Sequence, residues 1–122
     1  MSLHGIPAGL VRGTPGIYRL SRPPMGLARK LHDHDWTVGH LSRVTDRPSV
    51  LAGIGQALGF PDFYGQNLDA LWDCLTDLTR PTALIWEDWQ DFAVYHADDW
   101  ARVRHVLGDR VTQEPPFAVV LI

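Results

Sequence analysis

With 122 residues, 45% of them hydrophobic and 20% charged, the chain has the size and balance of one soluble globular domain around one core. No apolar run approaches the roughly 18 residues of a membrane span, and a single cysteine, Cys74, excludes an internal disulfide framework. The net charge of −3 is unevenly spread: residues 60–91 hold seven acids and one Arg, a local −6, while residues 1–59 carry +4. This argues against nucleic acid at the acidic stretch and fits either a basic partner there or a plain solvated acidic surface, the commoner case on charge alone.

Residues 1–16 are rich in Gly and Pro and read as an arm or loop. They lack a charged segment followed by a long apolar one, so no signal peptide is expected. With the lone cysteine this favours a reducing, cytoplasmic setting. "GIYRL" (Gly16–Leu20) is a short strand candidate. "PPMGLARKLHDHD" (Pro23–Asp35) reads as a helix with Pro23 and Pro24 in its first turn and Leu27, Ala28 and Leu31 as its apolar stripe. "WTVGHLSRV" (Trp36–Val44) is a second strand candidate, interrupted by Gly39. Asp46 is placed to cap a helix with Pro48 just inside it, Val50, Leu51, Ile54, Ala57 and Leu58 as its buried face, and Gly59 and Pro61 as its stop.

"FPDFYGQN" (Phe60–Asn67) is a loop, and Asn67 or a neighbour caps the helix "LDALWDCLTDLT", which Arg80 and Pro81 end. "TALIWE" (Thr82–Glu87) is an apolar run of strand length, with the character of a strand buried on both faces. "DWQDFAVYH" makes a short helix and "DDWARVRHVLGD" a longer one, capped by Asp98 or Asp99, with Trp100, Val103 and Leu107 on one face. "PPFAVVLI" ends the chain as a strand. Strands alternating with helices give an α/β fold, a small parallel sheet of three to four strands flanked by helices.

Several chemical motifs fail on their spacing. "GIGQALG" (Gly53–Gly59) is Gly-x-Gly-x-x-x-Gly and lies inside a helix pattern, where a phosphate loop would follow a strand; packing of glycines at a helix–sheet contact explains it better. "HDHDW" offers His32 and His34, with His40 nearby, but lacks a helical His-Glu-x-x-His pattern and a supporting Cys pair. Cys74 has no cysteine-enzyme signature around it, no serine sits in Gly-x-Ser-x-Gly, and Glu87 with Asp88 is a pair adjacent only in sequence. The chain reads as a protein that is not an enzyme and needs no cofactor or metal.

The helix from Leu68 to Leu78 has two faces. At about 100° per residue, Leu68, Leu71, Leu75 and Leu78 fall in one sector about 80° wide, the core face. Asp69, Trp72, Asp73 and Thr76 follow i, i+3, i+4, i+7 on a second stripe. Two readings stand side by side. The stripe is a binding surface in which the indole supplies area and the acids supply charge-assisted hydrogen bonds. Alternatively Trp72 packs sideways on the preceding loop and the acids are a solvated face.

The run Tyr-Gly-x-Asn-Leu-Asp-Ala-Leu-Trp-Asp-Cys-Leu-Thr, Tyr64–Thr76, closely resembles the signature of the barstar family, whose founding member is the intracellular inhibitor of the secreted ribonuclease barnase. The resemblance extends less sharply over residues 36–122, with 1–35 as an N-terminal extension that looks like an extra strand–helix unit of one single domain, 1–122. It implies a small parallel sheet flanked by helices and an inhibitory surface made of the helix and the loop before it. By position Asp73 matches the family's chief aspartate, which enters the nuclease site where a substrate phosphate would lie. Asp69 matches a second acid, Trp72 and Thr76 match flanking contacts, and Phe63 matches a loop tyrosine. Tyr64, Gly65 and Asn67 complete the partner-facing set, and counting back from the last strand places a further family acid at Asp109.

The implied partner is a barnase-like extracellular ribonuclease, with no direct nucleic-acid or membrane binding. Phe63 lacks the hydroxyl of the tyrosine it matches, and Leu78 stands where the founding member has a tryptophan. The competing expectations are an interaction module that binds another basic protein without inhibiting a nuclease and, more remotely, a metal-dependent hydrolase built on His32, His34 and His40.

Overall fold

The computed structural model describes residues 6–61 and 64–122. Among them the strands β1 (Gly16–Arg19), β2 (Thr37–Leu41), β3 (Thr82–Trp86) and β4 (Phe117–Leu121) form one sheet in the order β1-β4-β3-β2, with every pair parallel. The helices are α1 (Ala8–Val11), α2 (Leu27–Asp33), α3 (Arg47–Leu58), α4 (Leu68–Thr76), α5 (Trp89–Tyr95) and α6 (Ala97–Val111). This is a small parallel sheet flanked by helices. Every residue of β3 and β4 is buried, as their unbroken apolar runs require of central strands covered on both faces.

The chain crosses from β1 at one edge to β2 at the other, then returns through β3 to β4. Because the direction of travel reverses at β2, a constant crossover hand puts α2 on one face of the sheet and α3–α6 on the other. Two apolar clusters bear this out. Leu41, Leu84, Trp86, Phe117, Val119 and Leu121 meet the buried faces of α3 to α6. Ala83, Ile85, Ala118 and Val120, on the alternate side of the pleat, meet Ile6, Leu10, Leu27, Leu31 and Trp36.

The N-terminal residues depart most from the sequence expectation. Of the expected arm or loop, residues 1–5 lie outside the described residues. Beyond them Leu10 of α1 is completely buried and Ile6, just ahead of the helix, almost so, and the Trp36 indole N–H donates to the Leu10 carbonyl at 2.9 Å. The helix expected from Pro23 starts only at Leu27, because Gly26 takes a left-handed φ of 68° just before it. Both prolines therefore lie ahead of the helix, and Ala28 is exposed. β1 pairs in parallel with β4, so the extra strand enlarges the sheet.

Gly39 does not interrupt β2. It lies within the strand, where a Cβ would come within 2.7 Å of the Ala57 carbonyl oxygen, so the glycine lets the end of α3 approach the sheet. α3 starts at a capping box in which Asp46 accepts from the Ser49 N–H and the Ser49 hydroxyl accepts from the Asp46 N–H. It ends on Gly59 at φ 69°. Asp98 and Asp99 occupy the first turn of α6 and do not cap it; His96 precedes the helix without a side-chain bond.

Candidate functional site

α4 begins where the Asn67 side-chain oxygen accepts the Ala70 N–H at 2.8 Å. It ends at Thr76, earlier than the sequence pattern suggests, with Asp77 as its last half-turn. Its leucines behave as the helical wheel requires: Leu71 and Leu75 are wholly buried, and Leu68 and Leu78 pack partly buried against the same cluster. The backbone of α4 lies chiefly against α6, with further contact to α3, and its leucines join the apolar cluster that the strands contribute to. The other stripe faces outward. Asp69, Asp73 and Thr76 are exposed, and Trp72 is half-buried and belongs to neither apolar cluster.

The electrostatics of this face are distinctive. Asp69, Asp73 and Asp77 are spaced four residues apart, and like charges at that spacing destabilise a helix by a few tenths of a kcal/mol per pair, about 0.2–0.5. None of the five ion pairs among the described residues involves them. Asp69 gains from its place in the first turn, but Asp73 and Asp77 lie toward the C-terminal end, where the helix dipole disfavours negative charge. α4 has no basic residue in its last turn. The Thr76 hydroxyl donates to the Asp73 carbonyl at 2.9 Å, fixing the last turn beneath these acids.

The loop before α4 is braced from inside. The Tyr64 ring lies so close to α3 that a Cβ on Gly55 would come within 2.8 Å of it, and it meets the Phe60 ring edge-on at 5.1 Å. Burial pushes the Tyr64 hydroxyl up to about 12, with Cys74 adding to the shift. That hydroxyl has no partner among the described residues. Gly53 faces Leu41 of β2, so of the three glycines of "GIGQALG" Gly53 serves a helix–sheet contact, Gly55 a helix–loop contact and Gly59 the left-handed helix end.

Gly65 is exposed and does not take the left-handed turn; Gln66 does, at φ 52°. A Cβ at Gly65 would lie 3.2 Å from the Asn67 amide nitrogen, so its small size serves the cap instead. Phe63 lies outside the described residues. Gly65, Asn67, Asp69, Asp73 and Thr76 are exposed along the loop and α4 and Trp72 is half-buried, while Tyr64 is turned inward against α3. Asp109 is on α6, the helix that α4 packs against; it is exposed and already 3.3 Å from His105.

One residue with a bearing on this surface escapes the sequence pattern. Arg110 of α6 is completely buried, and its Nε–H donates to the Leu75 carbonyl of α4 at 2.7 Å. The signal was present in the spacing, since Val103, Leu107 and Arg110 continue one stripe.

No group of three or more His, Cys, Asp or Glu among the described residues is placed to hold a metal. Burial first, and then the carboxylates of Asp77 and Asp73, raise the Cys74 thiol above its ordinary range, the opposite of what a nucleophilic cysteine needs. No helix among the described residues is long and apolar enough to cross a membrane.

Comparison with known proteins adds two findings. Residues 37–122 match the protein family described as "Barstar (barnase inhibitor)". A Bacillus subtilis (strain 168) protein named "Putative ribonuclease inhibitor YrdF" is 48% identical over 68 residues, which span 52% of this chain and 72% of that protein.

Proposed function

The chain belongs to the barstar family, a family of inhibitors and not of enzymes, and from that premise we propose that it inhibits a small, basic, secreted ribonuclease by filling its active site with the acidic face of α4. The observation that carries the proposal is the line of exposed carboxylates Asp69, Asp73 and Asp77, one turn apart beside the half-exposed Trp72, with no ion-pair partner among the described residues.

A ribonuclease binds a polyanion, so its cleft concentrates positive charge. Carboxylates on a rigid helix imitate phosphate without presenting a bond to cleave. Asp73 and Asp69 enter the cleft, Trp72 and Thr76 flank them, and the loop with Phe63, Tyr64, Gly65 and Asn67 shapes the rim. Asp109 contributes from α6 once a partner cation outcompetes His105. The protein acts in the cytoplasm, where it protects the producing cell from its own nuclease, and the interaction needs no cofactor.

Titration of the producing organism's secreted ribonuclease tests this. The expected result is stoichiometric 1:1 inhibition, with an association rate that falls steeply as salt rises. A panel of such ribonucleases left fully active at micromolar protein would overturn it. Capture of a basic protein that is not a nuclease would then favour the non-inhibitory module, a reading to which Leu78, turned into the core at a position where the founding member carries tryptophan, lends support.

A further inference from the structure

We infer that Arg110 is the positioning residue of the acidic helix: from α6 its guanidinium fixes the C-terminal end of α4, and with it the placement of Asp73. In its functional consequence the inference rests on the reading of α4 as the inhibitory element.

Four observations converge on it. Arg110 is 0% exposed. It donates from Nε to the Leu75 carbonyl at 2.7 Å and from Nη1 to the Gln113 carbonyl at 3.2 Å. Its guanidinium lies over the Phe117 ring of β4, 5.6 Å from the centroid. It forms no ion pair with a carboxylate among the described residues, and its Nη2 has no hydrogen-bond partner there.

A buried charge held without a carboxylate is expensive unless it meets partial negative charge elsewhere. The Leu75 carbonyl at the end of α4 supplies part of that charge, beside the Glu114 carboxylate, whose field also favours the charged guanidinium. The last four carbonyls of a helix lack intrahelical partners and form the negative end of its dipole. α4 is nine residues long, has no base in its own last turn and carries Asp73 and Asp77 at that end. A helix this short is marginal by itself. Among the described residues the Leu75 carbonyl otherwise accepts only the Leu78 N–H, at 3.3 Å. The shorter charge-assisted bond from α6 places a cation at this acidic helix end and holds it more rigidly than leucine packing alone. Desolvation lowers the guanidinium from its ordinary value, yet arginine stays charged where a lysine would shift far more readily.

The test combines a readout of the helix with a readout of inhibition. In the wild-type protein the Arg110 Nε–H resonance should exchange slowly and show through-hydrogen-bond coupling to the Leu75 carbonyl carbon. Arg110→Lys and Arg110→Met should then speed amide exchange in α4 by about tenfold or more relative to α3, the methionine variant more than the lysine one. They should weaken inhibition by a similar factor. A merely structural role would accelerate exchange in both helices together.

An absent coupling in the wild type, or an unchanged α4-to-α3 ratio in Arg110→Lys, would overturn the inference. If the wild-type protein inhibits no ribonuclease, the functional reading fails, while the coupling and exchange arms still decide whether Arg110 fixes α4.

Discussion

Asp73 and Tyr64 occupy one signature and do opposite things. Asp73 is exposed and has no ion-pair partner among the described residues, while Tyr64 hides its hydroxyl against α3. The first was legible from the sequence, because a period of 3.6 residues separates the faces of a helix and no core needs an aspartate. The second was not, because nothing local to a tyrosine reports that Gly55, nine residues away, has left room for its ring.

The difference has a consequence at alkaline pH. The folded value of Tyr64 is raised to about 12 from 10.0, so its contribution to stability is complete below about pH 10 and is lost as pH rises through about 12. Urea unfolding between pH 9 and 12 should show that loss in the wild type. Tyr64→Phe, which removes a hydroxyl with no partner among the described residues, should abolish its share of the loss and keep neutral-pH stability within about 1 kcal/mol of wild type. An equal alkaline decline in both proteins would contradict the inward placement of the ring.

At the scale of elements, α3 and α4 form a pair in which one braces the other. The caps of both were legible, since Asp46 and Asn67 stand immediately before apolar periodic runs. The reciprocal Ser49 bond was less so, because a capping box is ordinarily read from Glu or Gln at that position. The start of α2 was misplaced because Pro-Pro suggests a first turn until Gly26 is seen to turn left-handed. Asn67→Ala should cost about 1 kcal/mol through the lost cap. Gly55→Ala should cost about 1–3 kcal/mol, because the new methyl group meets the Tyr64 ring, and it should weaken inhibition by displacing the loop. Thermal unfolding and an inhibition assay on both variants check this; a Gly55→Ala protein with wild-type stability would show that the ring has somewhere else to go.

At the scale of the whole molecule, the two sheet faces belong to different stretches of chain. The front face is covered by α3 to α6 and lies within the family match, while the back face is covered by residues that precede it. The sequence concealed this because Ile6 and Leu10 sit among glycines and prolines, a composition that reads as loop; only the long-range contact with Trp36 reveals their burial. We propose that residues 1–35 fold with the rest as one cooperative domain. Leu10, Leu27 and Leu31, all buried, are each worth roughly 1.5–3 kcal/mol by apolar burial, as an upper estimate. Their sum is comparable with the whole stability of a small domain, about 5–15 kcal/mol. A chain lacking residues 1–35 should therefore lose its cooperative urea transition, and retention of the wild-type midpoint would show that the layer is dispensable.

The charge asymmetry is also a property of the whole chain: residues 60–91, which include α4, hold seven acids and one Arg, while residues 1–59 carry +4, and under the proposed function a cationic partner meets the acidic stretch. The most direct test of that account is the inhibition constant of Asp73→Ala beside that of the wild type against the same secreted ribonuclease. Removing one partner of a desolvated charge pair costs about 2–5 kcal/mol, a range to which the barnase–barstar complex itself contributes. Inhibition should therefore weaken by about 30-fold or more, while the unfolding midpoint holds or rises slightly, because the side chain is exposed, has no ion-pair partner among the described residues and stands in like-charge spacing with Asp69 and Asp77. An Asp73→Ala protein that inhibits as well as the wild type would contradict it.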